Sequence, residues 1–268
     1  MTSHNADSRR GQGTFTRRAV LRTAAAVGTG AAVLGTAPLA AFAAAPAHPA
    51  ACGESVQDIL NLAYTIERAA TTFYYTGLTS HAVISAAQLA GRHGTLSAPR
   101  GNAANVANLQ AALDQEQKHA SILANAGAIS HVSQFYFPDA AFKALGYTSH
   151  SGTFLWTLDH LETACIAVYL AAIQRLGTLG RPDLAVLCVR ALAVESEHRA
   201  LYRVISGDDP ADNMTLPATA FSCTSDAAPL FVPYLSGKGF PTGVALTRRV
   251  PLPSPAQTAR VIGAHHST

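Results

Sequence analysis

The stretch Glu162-Thr-Ala-Cys-Ile-Ala-Val-Tyr169, followed further on by Glu195-Ser-Glu-His198, decides the fold. An earlier stretch repeats it as Glu67-Arg-Ala-Ala-Thr-Thr-Phe-Tyr74 and then Glu116-Gln-Lys-His119. Each half carries a lone glutamate on one helix-like segment and a Glu-x-x-His on the next. Residues i and i+3 share a helix face, so each Glu-x-x-His aims both side chains one way. Packed with these faces inward, four segments bring four carboxylates and two imidazoles to one place. Four buried carboxylates without partners are prohibitively costly. Two divalent cations balance that charge while both histidines stay neutral.

Composition sharpens the pattern. The glutamates from residue 44 onward are Glu54, Glu67, Glu116, Glu162, Glu195 and Glu197, and four of these six fall on it. Glu197, two residues from Glu195, points away and reads as a surface charge. A lone helix glutamate is ordinarily exposed, so Glu67 alone carries no weight. With its three partners, it lies within the apolar stripe Ile59, Leu62, Ala63, Ile66, Ala70, Phe73 and Tyr74.

Working outward, Ser55 with Asp58 is a capping-box start for a first helix running to about Gly77. A second helix is predicted from about Asn102 to Ala126, a third from about Ser151 to Leu176, and a fourth with Pro182 in its first turn and Gly207 just past its end. Between the first two lies a connection with a short helix from His81 to Ala90, and His81 and His93 there read as solvent-facing. Ser130 to His150 is rich in aromatics (Phe135, Tyr136, Phe137, Phe142, Tyr147), expected to seal a bundle end. Beyond Gly207, residues 208–268 hold eight of the fourteen prolines. They read as a tail wrapped on the bundle, with one short helix over Ser225 to Leu235 and the last dozen residues disordered. His265 and His266 are not expected ligands.

This pattern resembles the di-metal carboxylate site of the ferritin-like superfamily, on six residues and the four helices carrying them. The resemblance implies an all-α fold, a ferritin-like four-helix bundle over 54–207 with a long B–C crossover and an irregular Pro-rich C-terminal tail. It implies that Glu67, Glu116, His119, Glu162, Glu195 and His198 are the metal ligands and the catalytic set. Each histidine would cap one metal, two glutamates would bridge and two would be terminal, with the assignment open. Oxygen-rich ligation with two imidazoles favours iron first and manganese second. Tyr74 and Tyr169, each two turns from its glutamate, read as core aromatics that close the site from solvent, or as redox-active or hydrogen-bonding neighbours of the ligands. Asp159, one turn before Glu162, is expected to orient a ligand histidine.

The N-terminus reads as an address. Thr16-Arg17-Arg18-Ala19-Val20-Leu21-Arg22 looks like a twin-arginine export motif, and Ala41-Phe42-Ala43 is a cleavage candidate, giving a signal peptide over 1–43. Gly28, Gly30, Gly35 and Pro38 interrupt the intervening apolar run and argue against an anchor. Taking that segment's five Arg and one Asp from 19 Lys+Arg and 16 Asp+Glu leaves 14 and 15, a net of −1. There is then no electrostatic case for nucleic-acid binding. Four cysteines suit an exported protein. Cys52 and Cys223 are the favoured disulfide, tying the tail to the start of the bundle, whereas Cys165 and Cys188 read as core residues. Pro49 speaks against a lipid anchor on Cys52.

Two function classes follow. One is an extracytoplasmic di-iron or di-manganese oxidoreductase, ferroxidase-like or manganese-catalase-like, with dioxygen or peroxide and metal ions as its partners. The other is a non-catalytic metal-binding or structural stress protein. Within the superfamily the chain looks most like exported bacterial ferritin-like domain proteins, the group that includes desiccation-related proteins. A homo-oligomer fits either class; a hollow storage cage does not fit the tail and the enlarged A–B connection.

Overall fold

Ser55 starts the first helix. Its hydroxyl accepts from the Asp58 amide, and the Asp58 carboxylate accepts from the Ser55 amide at 2.9 Å, so two orphan donors are satisfied reciprocally. The helix, α1, spans Val56–Thr79. The computed structural model describes residues 52–84, 103–208, 210–211 and 218–263. The expected signal segment, most of the predicted His81–Ala90 helix and His93 lie outside these residues. The bundle continues with α2 (Ala103–Asn125), α3 (Phe154–Thr178) and α4 (Pro182–Ser206). Pro182 opens α4 in its first turn, and Gly207 closes it in the left-handed region at φ +82°.

The helices pair as α1 with α2 and α3 with α4, and α1 lies against α3. Gln57 Nε2 at the start of α1 donates to Gly127 O just past α2 at 2.9 Å, so that pair is antiparallel. Tyr202 near the end of α4 donates to Leu158 O near the start of α3 at 3.2 Å, so the second pair is antiparallel too. The buried apolar residues form two clusters. One gathers Phe73, Leu78, Phe137, Phe154, Tyr202 and Phe231; the other gathers Ile59, Leu60, Leu123, Leu176 and Leu184. The inward glutamates sit between them, where the hydrophobic core is interrupted.

The segment from α2 to α3 and the segment after α4 hold structure that the sequence reading left irregular. Gln134–Pro138 forms strand β1 and Thr247–Pro251 forms β2. They pair antiparallel, with Phe135 opposite Val250 and Phe137 opposite Arg248. Phe135, Phe137 and Phe142 are buried, and Phe73 stacks on Phe154 at 5.0 Å and meets Phe137 at 4.9 Å. Tyr147, by contrast, is exposed. The helix expected over Ser225–Leu235 is broken into α5 (Thr224–Ala227), a 3-10 turn (Ala228–Phe231) and α6 (Val232–Ser236). Pro229 and Pro233, which lack an amide hydrogen, each begin a new turn rather than continue the last. The disorder expected of the last dozen residues does not hold for 257–262. They belong to α7 (Pro255–Ile262), opened by a Ser254–Gln257 capping box and buried through Thr258, Val261 and Ile262. α7 packs on α2, where Gln110 Nε2 donates to Val261 O at 2.6 Å.

Candidate metal centre

Each bundle helix turns one glutamate inward. Glu67 on α1, Glu116 on α2, Glu162 on α3 and Glu195 on α4 are all fully buried. The i,i+3 spacing carries His119 and His198 to the same level as Glu116 and Glu195. Ligand atoms fall into two groups, each within 4.8 Å. Glu67, Glu116, His119 and Glu195 make one; Glu116, Glu162, Glu195 and His198 make the other. Glu116 and Glu195 belong to both groups, whereas Glu67 and Glu162 belong to one each. The geometry thereby sorts the glutamates, with the Glu-x-x-His pair central and the lone pair peripheral. His119 Nδ1 lies 2.9 Å from Glu195 Oε1 and 3.5 Å from Glu67 Oε2. His198 Nδ1 lies 2.9 Å from Glu116 Oε1 and 3.4 Å from Glu195 Oε2.

Hydrogen bonding divides the same oxygens. Tyr74 donates to Glu162 Oε1 at 2.7 Å, and Tyr169 donates to Glu67 Oε1. Each half's tyrosine therefore binds the other half's lone glutamate, so the internal repeat is an exchange of contacts across α1 and α3. The remaining oxygens, Glu67 Oε2 and Glu162 Oε2, have no aligned hydrogen bond. Neither do both oxygens of Glu116 and Glu195, nor Nδ1 of either histidine. Nδ1 approaches carboxylates closely, but not in hydrogen-bond alignment, as when lone pairs converge on a shared centre. Buried polar atoms are nearly always paired. Here the central glutamates keep two oxygens free and the peripheral ones keep one. Two cations between them would be served by that division, so the donor set fits a di-metal centre.

In the metal-free chain, protons take up part of the role of the cations. Burial and the neighbouring Glu195, Glu162 and Glu67 push the Glu116 carboxyl well above its usual range, and burial with Glu195 does the same to Glu162. Burial disfavours a charged His119, but Glu67 and Glu195 outweigh it and raise the imidazole to about 10. Burial also disfavours a charged Glu195, yet His119 and His198 hold it below the usual carboxylate range. Burial raises the Tyr74 and Tyr169 phenols, so both remain protonated donors.

Around the ligands the structure departs from the sequence reading at Asp159. Its carboxylate faces Arg199 Nε at 3.4 Å and Arg203 at 3.8 Å rather than a ligand histidine. Two permanently charged guanidiniums from α4 hold the carboxylate on their side. The residue that meets a ligand histidine is Gln115, whose Oε1 is 2.8 Å from His198 Nε2. Sequence reasoning missed it, and its one signal was adjacency to Glu116. Glu197 is exposed. Cys165 and Cys188 are free and buried in the core, outside both ligand groups. Cys52 and Cys223 form a disulfide with their Cα atoms 5.8 Å apart. Beside it the Glu54 carboxylate accepts from the Thr224 and Ser225 amides, each at 3.0 Å, capping α5 from across the chain.

A family model described as the ferritin-like domain matches residues 55–208, the span of α1 to α4. No curated protein and no solved structure matches the chain.

Proposed function

The chain belongs to the ferritin-like domain family, and from that premise we propose that it is an exported di-metal oxidoreductase that oxidises Fe(II) or consumes dioxygen or peroxide in stress protection. The observation that carries this reading is the division of free oxygens: two on each of Glu116 and Glu195, one on each of Glu67 and Glu162. Glu116 and Glu195, which belong to both ligand groups, would hold both metals; Glu67 and Glu162 would each hold one, and His119 and His198 would each offer Nδ1 to one. Oxygen ligands with two imidazoles suit iron first and manganese second. When bound, such a metal pair supplies two-electron chemistry toward a small oxidant. The chain's own contribution is to exclude bulk water from the four carboxylates and to hold the phenol protons of Tyr74 and Tyr169 against Glu162 and Glu67. Full burial of the carboxylates supports small reactants over bulky organic ones. We read 126–153 as the B–C crossover and 208–268 as the Pro-rich tail of an exported, desiccation-related type of ferritin-like protein. The Arg17-Arg18 motif supports export, and the Cys52–Cys223 disulfide supports an oxidising compartment. No helix among the described residues is long and apolar enough to cross a membrane.

The test is anaerobic Fe(II) loading of the purified chain, elemental analysis, and then exposure to dioxygen or peroxide. The expected result is about two iron ions per chain, with oxidation of added Fe(II) or peroxide consumption. Glu162→Ala is expected to abolish stoichiometric loading while Glu197→Ala keeps it, and equal loading of both would overturn the ligand assignment. The depth of burial of all four carboxylates also favours a second reading, a metal-stabilised structural protein without turnover. Full loading with neither Fe(II) oxidation nor peroxide consumption would select it.

A further inference from the structure

The repeat relates the two ligand groups, yet their imidazoles are held differently. The His198 side chain is 3% exposed, and its Nε2 is fixed 2.8 Å from Gln115 Oε1. The His119 side chain is 12% exposed, and no described residue hydrogen-bonds its Nε2. The difference traces to one position in the repeat. Gln115 immediately precedes Glu116 on α2, and Val194 immediately precedes Glu195 on α4. An amide oxygen accepts an imidazole N–H, whereas an isopropyl group does not. An imidazole whose outer N–H is donated to a fixed acceptor is locked in one tautomer. Its inner nitrogen is then a stronger, pre-aimed ligand. Among the described residues His119 has no such brace, and its side chain is the more exposed of the two.

Resting on the di-metal reading above, we propose that Gln115 makes the two divalent-cation positions unequal. The Glu162/His198 position loads first and holds its ion. The Glu67/His119 position loads second and exchanges with solvent past the more exposed His119 side chain. Gln115 is a positioning residue, acting on the metal through His198.

The test is a titration of the metal-free full chain with Mn(II), followed by calorimetry and by electron paramagnetic resonance. Wild type is expected to bind in two steps separated by about 10–100-fold in affinity. Gln115→Leu should weaken the tighter step by about the same factor, leaving the looser step in place. Gln115→Glu, which keeps an acceptor oxygen at the same reach, should retain the tight step. Val194→Gln should tighten the looser one. In the metal-free chain, nitrogen-edited NMR should find a slowly exchanging Nε2–H on His198 that Gln115→Leu abolishes. Two equal steps in wild type would overturn the proposal. So would a Gln115→Leu variant that weakens both steps alike and keeps the His198 signal. Absence of Mn(II) binding by every variant would overturn the di-metal reading together with this one.

Discussion

Glu116 and Glu195 each keep both carboxylate oxygens out of aligned hydrogen bonds in the bundle interior, with a histidine Nδ1 2.9 Å from one oxygen of each, and the metal-free chain answers with protons. His119 binds its proton more tightly folded than unfolded, so its contribution to stability is complete below pH 6.5 and is lost as pH climbs toward about 10. The raised carboxyls of Glu116 and Glu162 act in the same direction, stabilising below about 4.5 and less above it. Glu195, held low, acts oppositely and gives up its contribution only as pH falls below the usual carboxylate range. The metal-free protein is therefore expected to lose stability from pH 6.5 to 10. The metal-loaded protein should hold or gain it, because its ligands are already deprotonated. Urea denaturation of both forms across that window checks this, and a metal-free chain equally stable throughout would contradict the proton assignment. The clustered glutamates themselves were legible because glutamate is scarce in this chain, so four on one pattern stood out. Gln115 was not legible: a glutamine beside a glutamate has no spacing signature, and its role depends on where α4 places His198. Asp159 was misread because its neighbours on α3 are visible in sequence, whereas Arg199 and Arg203 reach it only after α4 packs.

Two helix glycines separate backbone propensity from packing. Gly177, near the end of α3, has nothing near the place a Cβ would occupy, so Gly177→Ala should stabilise by about 0.5–1 kcal/mol. At Gly77 in α1 a Cβ would fall on the Phe154 ring, which is buried against Phe73 and has no room to turn. Gly77→Ala is expected to destabilise by about 1–3 kcal/mol despite the better helix former. Thermal melts of the two variants should shift in opposite directions, and a shared direction would refute the packing argument. The four helices were readable in sequence because caps and stripes are local: Ser55 and Asp58 start α1, Pro182 starts α4 and Gly207 ends it. The β1–β2 ribbon was not, because Phe135 meets Val250 only through pairing between distant segments, and neither strand alternates cleanly enough to declare itself. α7 was hidden for a related reason: among eight prolines, Pro255 reads as one more breaker, although it sits at a first helical turn, where proline is tolerated.

At the scale of the molecule, the Cys52–Cys223 bridge closes a loop of 171 residues in sequence separation and joins the start of α1 to the segment after α4. Paired serine replacement is expected to lower unfolding stability by about 2–5 kcal/mol, chiefly by freeing the unfolded chain. Glu54, still capping α5, should keep that segment partly docked. Chemical denaturation and limited proteolysis report this together, with the earliest cuts expected beyond residue 208; an unshifted midpoint would argue against the bridge. The crossed tyrosine contacts reach further. Since Tyr74 of one hairpin binds Glu162 of the other, and Tyr169 returns the contact to Glu67, neither hairpin owns a finished binding position. Ions seated there would act as rivets driven through two plates, and a chain whose hairpins docked one turn out of register would have no holes that line up. Metal uptake would then report on assembly, because each ligand group draws on both hairpins.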